Sequence, residues 1–132
     1  LRMVGLLDFL QLSEWTIFAP TDEAFEKLFS TTSDKGKLNP NNMSDLFFFH
    51  LVEFIIIPFD ELLCNEWLHM SNDGFTFTHC RGFDKYQVGR GNGFTEQSVI
   101  SLQDSPVILQ ENIVACNGIM HSLDTVMLPA WW

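Results

Sequence analysis

The hydrophobic positions at the start of the chain are spaced as in a helix followed by a strand. Between residues 3 and 12, one helical face collects the apolar side chains of Val4, Leu7 and Leu10 or Phe9. Residues 16–19 then form a short apolar run, which is typical of a strand, and Pro20 ends it. The first twenty residues therefore predict one helix and one strand.

A second helix is predicted directly after this strand. Thr21 has the residue type and position of an N-cap, and Asp22 and Glu23 follow it in the first turn. The helix dipole favours negative charge there. We expect the helix to run to about Phe29 and to bury three residues: Ala24, Phe25 and Leu28.

The next segment alternates between polar and strongly apolar stretches. Residues 30–42 are polar and predict a loop. A further helix is expected to begin near Ser44 or Asp45 and to carry the apolar residues that follow. Residues 53–57 then predict a strand on composition, and residues 58–63 predict a short helical turn that starts with proline.

From residue 66 onward the pattern changes to short segments of strand length. Strands are predicted at 66–70, 74–79, 85–88, 98–102, 106–110 and 119–128. Residues 71–74, with the sequence SNDG, give a strong hairpin signal between the first two. Helices early and strands late, without a dividing linker, predict one α+β domain over residues 1–132 with mostly antiparallel sheets.

Composition and charge narrow the possible partners. The 132 residues are 46% hydrophobic, which is enough for one packed core. The net charge is −10, and an acidic surface repels phosphate backbones, so nucleic acid is not expected as a partner. Arg81, Lys85 and Arg90 could form a small basic spot for an anionic ligand, although scattered solvated charges are the simpler interpretation.

The most apolar run and the cysteines bear on the cellular compartment of the protein. Residues 46–59 are too short for a membrane span and are interrupted by charged and polar residues, so no span is predicted. Of three cysteines, at least one is unpaired within the chain. In an oxidising compartment we expect Cys64 to pair with Cys80, because the predicted hairpin brings them close. Cysteine is also a common buried residue, so the alternative stays open.

His121 and Asp124 suggest a catalytic dyad at first sight. In a regular strand, residues three apart point to opposite faces, so these two side chains are not expected to hydrogen-bond each other. Cys116 lies nearby, but no recognised nucleophile context surrounds it. The stretch therefore predicts structural histidine and cysteine residues, and no catalytic residue is assigned.

Three further patterns could suggest a metal site, a phosphate loop and a glycosylation site. Two cysteines and two histidines lie on or beside the predicted hairpin, at Cys64, His69, His79 and Cys80, but their spacing does not match a zinc site. The glycine-rich run at 89–93 lacks the lysine and the helix of a phosphate loop and predicts a flexible hairpin loop. Asn42 begins a glycosylation sequon. No metal or cofactor is expected.

Two segments resemble the paired signatures of the fasciclin domain family. Residues 16–28, TIFAPTDEAFEKL, are similar to the first signature, and residues 117–129, NGIMHSLDTVMLP, are similar to the second. They lie at opposite ends of the chain at the expected separation. Phe49 and His50 fall where the family often has a Tyr-His pair. Because few residues precede the first signature, we expect the chain to lack the first helix of a full domain.

The resemblance implies a fasciclin-like β-wedge, in which two sheets pack together with helices along one side. It also implies structural roles for six signature residues: Thr21, Asp22, Asn117, Gly118, His121 and Asp124. The first two would cap the helix. The next two would form the turn into the last strand, with glycine supplying any positive φ. The last two would be polar anchors on opposite faces of that strand.

The function implied by the resemblance is adhesion rather than catalysis. Family members usually act outside the cell or at its surface, singly or in tandem, and bind proteins, receptors or glycans. The candidate binding residues are Phe49, His50, Asn112 and Ile113, each of which is also a candidate for the core. Two alternatives stay open: a hydrolase-type enzyme using His121 or His50 with Cys116 or an Asp, and a scaffold unit of a multidomain protein.

Overall fold

In the computed structural model, residues 13–31, 39–92 and 105–132 are described, and they form two helices and two sheets. The elements in chain order are β1 (Trp15–Pro20), α1 (Asp22–Thr31), α2 (Pro40–Phe48), β2 (Leu51–Glu53), β3 (Trp67–His69), β4 (Phe75–Arg81), β5 (Asp84–Gly89), β6 (Ile108–Val114) and β7 (Gly118–Leu123). Short 3₁₀ turns occupy Phe59–Glu61 and Arg90–Asn92. The helix predicted at 3–12 and the strand predicted at 98–102 lie outside the described residues.

The larger sheet brings the two ends of the sequence together. Its strand order is β2-β1-β7-β6, and β1 pairs with β7 in parallel, so that Phe18 lies beside His121. The pairs β1–β2 and β6–β7 are antiparallel. Because β1 is central, its first four residues are buried on both faces, which explains why this strand is a continuous apolar run.

The smaller sheet is an antiparallel meander in the order β3-β4-β5. The predicted hairpin between β3 and β4 is confirmed: the Asp73 N–H donates to the Met70 carbonyl (3.0 Å), and Asp73 has a φ of 69°. On its buried face, Gln87 accepts from the Thr78 hydroxyl (2.7 Å) and donates to Thr76 (2.8 Å). These buried polar side chains thus satisfy one another.

The two helices contact the larger sheet, α1 through β1 and α2 through β2. Thr21 caps α1 as predicted, since its hydroxyl accepts from the Ala24 N–H (3.2 Å). The predicted start of α2 near Ser44 was wrong. The Asn39 side chain accepts from the Asn42 N–H (2.9 Å), and Pro40 follows as the first helical residue, so an Asn-Pro start signal lies within the supposed loop.

The strand predicted at 53–57 was also wrong, because β2 ends at Glu53. Phe54 has a φ of 68°, which turns the chain out of the sheet. The Thr16 hydroxyl then donates to the Ile55 carbonyl (2.8 Å) and accepts from the Ile57 N–H (2.9 Å). A side chain of β1 therefore replaces the ladder bonds that a longer strand would make.

The last strand ends at Leu123 rather than at residue 128. The Asp124 carboxylate accepts from the Val107 N–H (3.0 Å), and the chain then crosses the core as an irregular segment. Val126 and Met127 on this segment are buried. The segment is thus a core element without being a strand.

A disulfide joins Cys64 to Cys80, as predicted, and ties the segment before β3 to β4. The main core cluster lies between the two sheets and includes Phe18, Phe49, Leu123 and Met127. Within the described residues, no helix is long and apolar enough to cross a membrane.

Candidate functional site

His121 on β7 is fully buried and engages backbone groups with both ring nitrogens. Nδ1 accepts from the Asn112 N–H (3.1 Å), so the proton resides on Nε2, which donates to the Ile57 carbonyl (2.9 Å). Burial lowers the pKa of His121, although the bond to Ile57 opposes that shift. His121 is therefore a neutral connector between β6, β7 and the segment after β2.

His50, just after the end of α2, also bonds to backbone groups through both ring nitrogens. It is the opposite tautomer, with the proton on Nδ1. Nε2 accepts from the Met127 N–H (2.9 Å), and Nδ1–H donates to the Leu46 carbonyl (2.8 Å). Burial lowers the pKa of His50 from 6.5 to about 4, against the opposing bond to Leu46. This histidine ties the end of α2 to the C-terminal core segment.

This geometry argues against the hydrolase alternative. A general base needs a nitrogen within reach of a nucleophile, and neither histidine has one free. Asp124 bonds to the Val107 N–H instead of to His121, in line with the predicted opposite faces. The packed structural role predicted for Cys116 was wrong, because Cys116 is a free, exposed cysteine between β6 and β7.

Asn112 and Ile113 lie in an irregular part of β6, where the register with β7 shifts twice. Asn112 has a φ of 56°, and its side-chain oxygen accepts from the Phe59 N–H (2.9 Å). Its own N–H holds His121. Ile113 is half-buried and pairs with Met120. Asn112 thus stabilises the fold through these hydrogen bonds, although the residue is exposed.

Gly118 corrects one expectation drawn from the resemblance. It is not in the positive-φ region. A Cβ at this position would instead lie 2.3 Å from the Trp15 indole. Glycine is required there because the ring of Trp15 packs directly on the backbone. Asn117 contributes through its carbonyl, which accepts from the Trp15 N–H (3.2 Å).

The glycine-rich stretch that predicted a flexible loop is closely packed over residues 89–92. A Cβ on Gly89 would lie 2.1 Å from the Leu128 carbonyl oxygen, and one on Gly91 would lie 2.3 Å from that of Pro129. Asn92 accepts from the Leu128 N–H (2.9 Å) and from the Gly89 N–H (3.0 Å). These glycines allow the C-terminal segment to dock.

The remaining candidates have ordinary structural surroundings. Asn42 of the sequon lies in the first part of α2 and is half-buried. His69 pairs with Asp73 (3.2 Å), and the ring of His79 lies 6.1 Å from that of Tyr86. In the ranges that the structure describes, no cluster of three or more His, Cys, Asp or Glu side chains could hold a metal.

One surface cleft combines aromatic and polar side chains. It has a volume of about 330 Å³, and we call it the Trp131 cleft; it is lined by Asp45, Phe49, Asn72, Asp73, Gly74, Phe75, Arg90, Pro129, Ala130 and Trp131. Phe49, a candidate binding residue from the sequence, is 2% exposed and lines this cleft. The sequence pattern did not single out Asp45 or Trp131 for binding, because they meet only in the folded chain.

Comparison with known proteins places the chain in a family. The sequence model of the Fasciclin domain matches residues 1–129, and the chain belongs to this family. A chain from the FAS1 domain pair of the insect cell adhesion molecule fasciclin I has the same fold, with a TM-score of 0.61 and 18% identity over 96% of this chain and 40% of that one.

The sequence relatives come from distant organisms. The immunogenic protein MPB70 of Mycobacterium bovis is 39% identical over 96% of this chain. The transforming growth factor-beta-induced protein ig-h3 of Sus scrofa is 23% identical over 88% of the chain, which spans 15% of that protein. The fasciclin-like arabinogalactan protein 17 of Arabidopsis thaliana is 26% identical over 86% of this chain, and the match covers 23% of that protein. The chain spans 55% of MPB70.

Proposed function

We propose that this domain is an adhesion and matrix-interaction module that acts outside the cell or at its surface and binds proteins or glycans. The observation that carries the proposal is membership of the Fasciclin domain family over residues 1–129. The structural neighbour is described as a cell adhesion molecule, and that role is the model for the one proposed here.

Two features of the chain support this proposal, one bearing on location and one on the class of partner. Disulfides persist in oxidising compartments, and Cys64 and Cys80 form one in this fold. The net charge of −10 disfavours nucleic acid and leaves proteins and glycans as partners. Tandem repetition of such domains in a longer protein is part of the same proposal.

The outer edge of the larger sheet is the proposed protein-binding surface. It consists of β6, where Leu109 and Val114 are exposed by 59% and 78%. Asn112 and Ile113, two of the residues expected to bind, lie between them on the same strand. Phe49 and His50, the other two residues expected to bind, are buried and are not part of this surface.

A binding screen on the full-length secreted protein tests this function. We expect retention on cells or on immobilised matrix proteins, and we expect Leu109→Ser with Val114→Ser to weaken binding to a protein partner. Phe29→Ser is the control, since Phe29 is 47% exposed and lies on α1, outside this strand. Retention of the protein inside the cell, together with no binding to any surface component, would overturn the proposal.

A further inference from the structure

We infer that the Trp131 cleft is a binding site for a neutral saccharide. The inference rests on the proposed adhesive function, because it gives that function a ligand class and a location. It is carried by the aromatic rings, the oriented carboxylate and the rigid backbone that meet in this cleft. These three features come from three parts of the sequence: α2, the β3–β4 hairpin and the C-terminal segment.

The aromatic rings provide the apolar contact that a sugar ring needs. Trp131 is 41% exposed and Phe75 is 49% exposed, and both line the cleft. A pyranose presents a face of C–H groups, which are attracted to the negative face of an aromatic ring. Phe49 adds a buried ring to the lining. A sugar can therefore stack on exposed rings without disturbing the core.

The carboxylate of Asp45 is oriented by the residues around it. Its Oδ2 accepts from Trp131 Nε1–H (2.6 Å) and from Asn72 Nδ2–H (3.2 Å). Among the hydrogen bonds of the described residues, Oδ1 of this carboxylate accepts none. A fixed carboxylate oxygen is a strong acceptor for a hydroxyl group, and the second hydrogen of the Asn72 amide is a donor beside it.

The backbone of the cleft is preorganised. The Asn72 side-chain oxygen accepts from the Gly74 N–H (2.9 Å), and a Cβ on Gly74 would lie 3.0 Å from the ring of Phe49. In the 3₁₀ turn after β5, Asn92 holds the C-terminal segment through the Leu128 N–H (2.9 Å) and the Val126 carbonyl (3.2 Å). A site that is already ordered loses less entropy when it binds a weak ligand.

The charges in the cleft favour a neutral sugar over an acidic one. Asp45 and Asp73 line the cleft, and the whole chain carries a net charge of −10. The one cationic side chain in the lining, Arg90, lies over the Trp67 ring, with its guanidinium carbon 4.7 Å from the ring centre. Uronates, sialates and sulfated sugars would thus meet like charge.

Titration of the purified, disulfide-bonded domain with neutral saccharides tests the inference. The probes are di- to tetrasaccharides of glucose, galactose and mannose, with a sulfated heparin fragment as the anionic comparison. We expect at least one neutral probe to bind with a Kd on the order of 1 mM, as a shallow site with few contacts would give. Binding is followed by tryptophan fluorescence and by chemical-shift changes in NMR spectra.

Variants separate the aromatic from the polar contribution. Trp131→Ala is expected to weaken binding about tenfold, whereas Trp131→Phe keeps a ring and part of the affinity. Asp45→Asn keeps an oxygen for the donors of Trp131 and Asn72 but replaces the free acceptor with an amide, so it should also weaken binding. Phe83→Ala removes an exposed ring elsewhere and should leave affinity unchanged.

The outcomes distinguish this inference from the proposed function. If no neutral probe binds while the protein still adheres to cells or matrix proteins, the saccharide site is wrong and the adhesive role stands. Binding of the sulfated fragment alone, or neutral binding that survives both Trp131→Ala and Asp45→Asn, would also overturn the site. If both adhesion and saccharide binding are absent, both proposals fall.

Discussion

The surroundings of His121 and the Trp131 cleft use similar residue types for opposite purposes. Around His121, an imidazole and the Asn112 amide are bonded to backbone groups, and His121 has no exposed surface. In the cleft, the carboxylate of Asp45 and the amide of Asn72 are held by each other and by neighbours, but they still line open space. The comparison indicates that burial determines whether a polar group stabilises the fold or is available to a ligand.

The distinction also explains why the second signature identifies a fold better than a ligand. Its histidine and aspartate bond to the backbone N–H groups of Asn112 and Val107, which places β6 and the segment before it. Since a buried polar group without a partner is costly, these contacts constrain the structure strongly. The exposed side chains of the surface cleft carry no such constraint, so we expect changes to them to cost little stability.

Removing the imidazole of His121 should produce the largest effect. His121→Ala leaves the Asn112 N–H and the Ile57 carbonyl without partners, so we expect the free energy of unfolding to fall by about 4 kcal/mol. Chemical denaturation measures this change. His79→Ala is the control, because His79 is only half-buried, and it should cost less than about 1 kcal/mol. Equal losses would remove the contrast between the buried and the half-buried histidine.

Acidification should destabilise the fold through its two buried histidines. An unfolded His50 titrates near 6.5, whereas the folded pKa is about 4, so between these values the unfolded chain binds more protons. Stability that is complete at pH 7 is therefore lost as the pH falls below 6.5, by roughly 3 kcal/mol at pH 4. The lowered pKa of His121 adds loss in the same direction.

Denaturation at a series of pH values measures this slope. Phe83→Ala is the control, because it removes an exposed side chain that carries no titratable group and should leave the slope unchanged. His50→Gln should reduce it. A slope that His50→Gln does not alter would show that other groups control the acid sensitivity.

Substitutions of Asn112 can separate the contribution of its side-chain hydrogen bond to stability from that of its backbone conformation. Asn112→Ala removes the bond to the Phe59 N–H and also places alanine at a φ of 56°, so we expect a loss of about 2 kcal/mol. Asn112→Gly tolerates the φ and should lose about 1 kcal/mol. Asn65→Ala is a control for conformation alone, because Asn65 has a φ of 65°. A similar loss in all three variants would contradict a role for the side-chain bond.

Among the residues that the structure describes, Phe54 is unusual in having a positive φ, since the others that do are Asn, Asp or Gly. Phe54→Gly should relieve strain and keep the bond from residue 54 N–H to the Glu14 carbonyl (2.8 Å). We expect thermal unfolding to show a gain of up to about 1 kcal/mol, reduced by the greater freedom of glycine in the unfolded chain. A clear loss would show that contacts of the Phe54 ring outweigh the strain.

The smallest change in stability is expected in the cleft. Asp45→Asn retains an acceptor for Trp131 and Asn72, so the free energy of unfolding should change by less than about 0.5 kcal/mol. The same denaturation assay used for His121→Ala gives the comparison. A loss of several kcal/mol here would mean that the cleft, like the surroundings of His121, is part of the structural framework.

Local signals in the sequence predicted several elements correctly. The apolar run at 16–19 is the core of β1, and Thr21 caps α1, because both depend on neighbouring residues alone. The SNDG hairpin followed from turn chemistry, and it led to the correct pairing of Cys64 with Cys80. The start of α2 was also signalled locally, by Asn39 and Pro40, but the polar composition of the surrounding stretch concealed it.

The predictions were wrong where the backbone forms hydrogen bonds with a residue far away in the sequence. Residues 53–57 have strand composition, yet Thr16 bonds to Ile55 and Ile57 in place of a neighbouring strand. The last strand ends early because Asp124 reaches back to Val107. A pattern along the chain does not contain these partners, since they are separated by many residues in sequence.

By itself, the sequence determined the α+β class, the family and the strands that carry both signatures, because apolar spacing, caps and turns act between near neighbours. Only the tertiary structure decided which polar residues are buried and which line a cleft. His121 and Asp45 are equally polar in sequence, but β7 places His121 between two backbone groups, whereas α2 places Asp45 beside Trp131 at the surface. Their roles follow from burial and distance, which arise only when segments far apart in the chain meet.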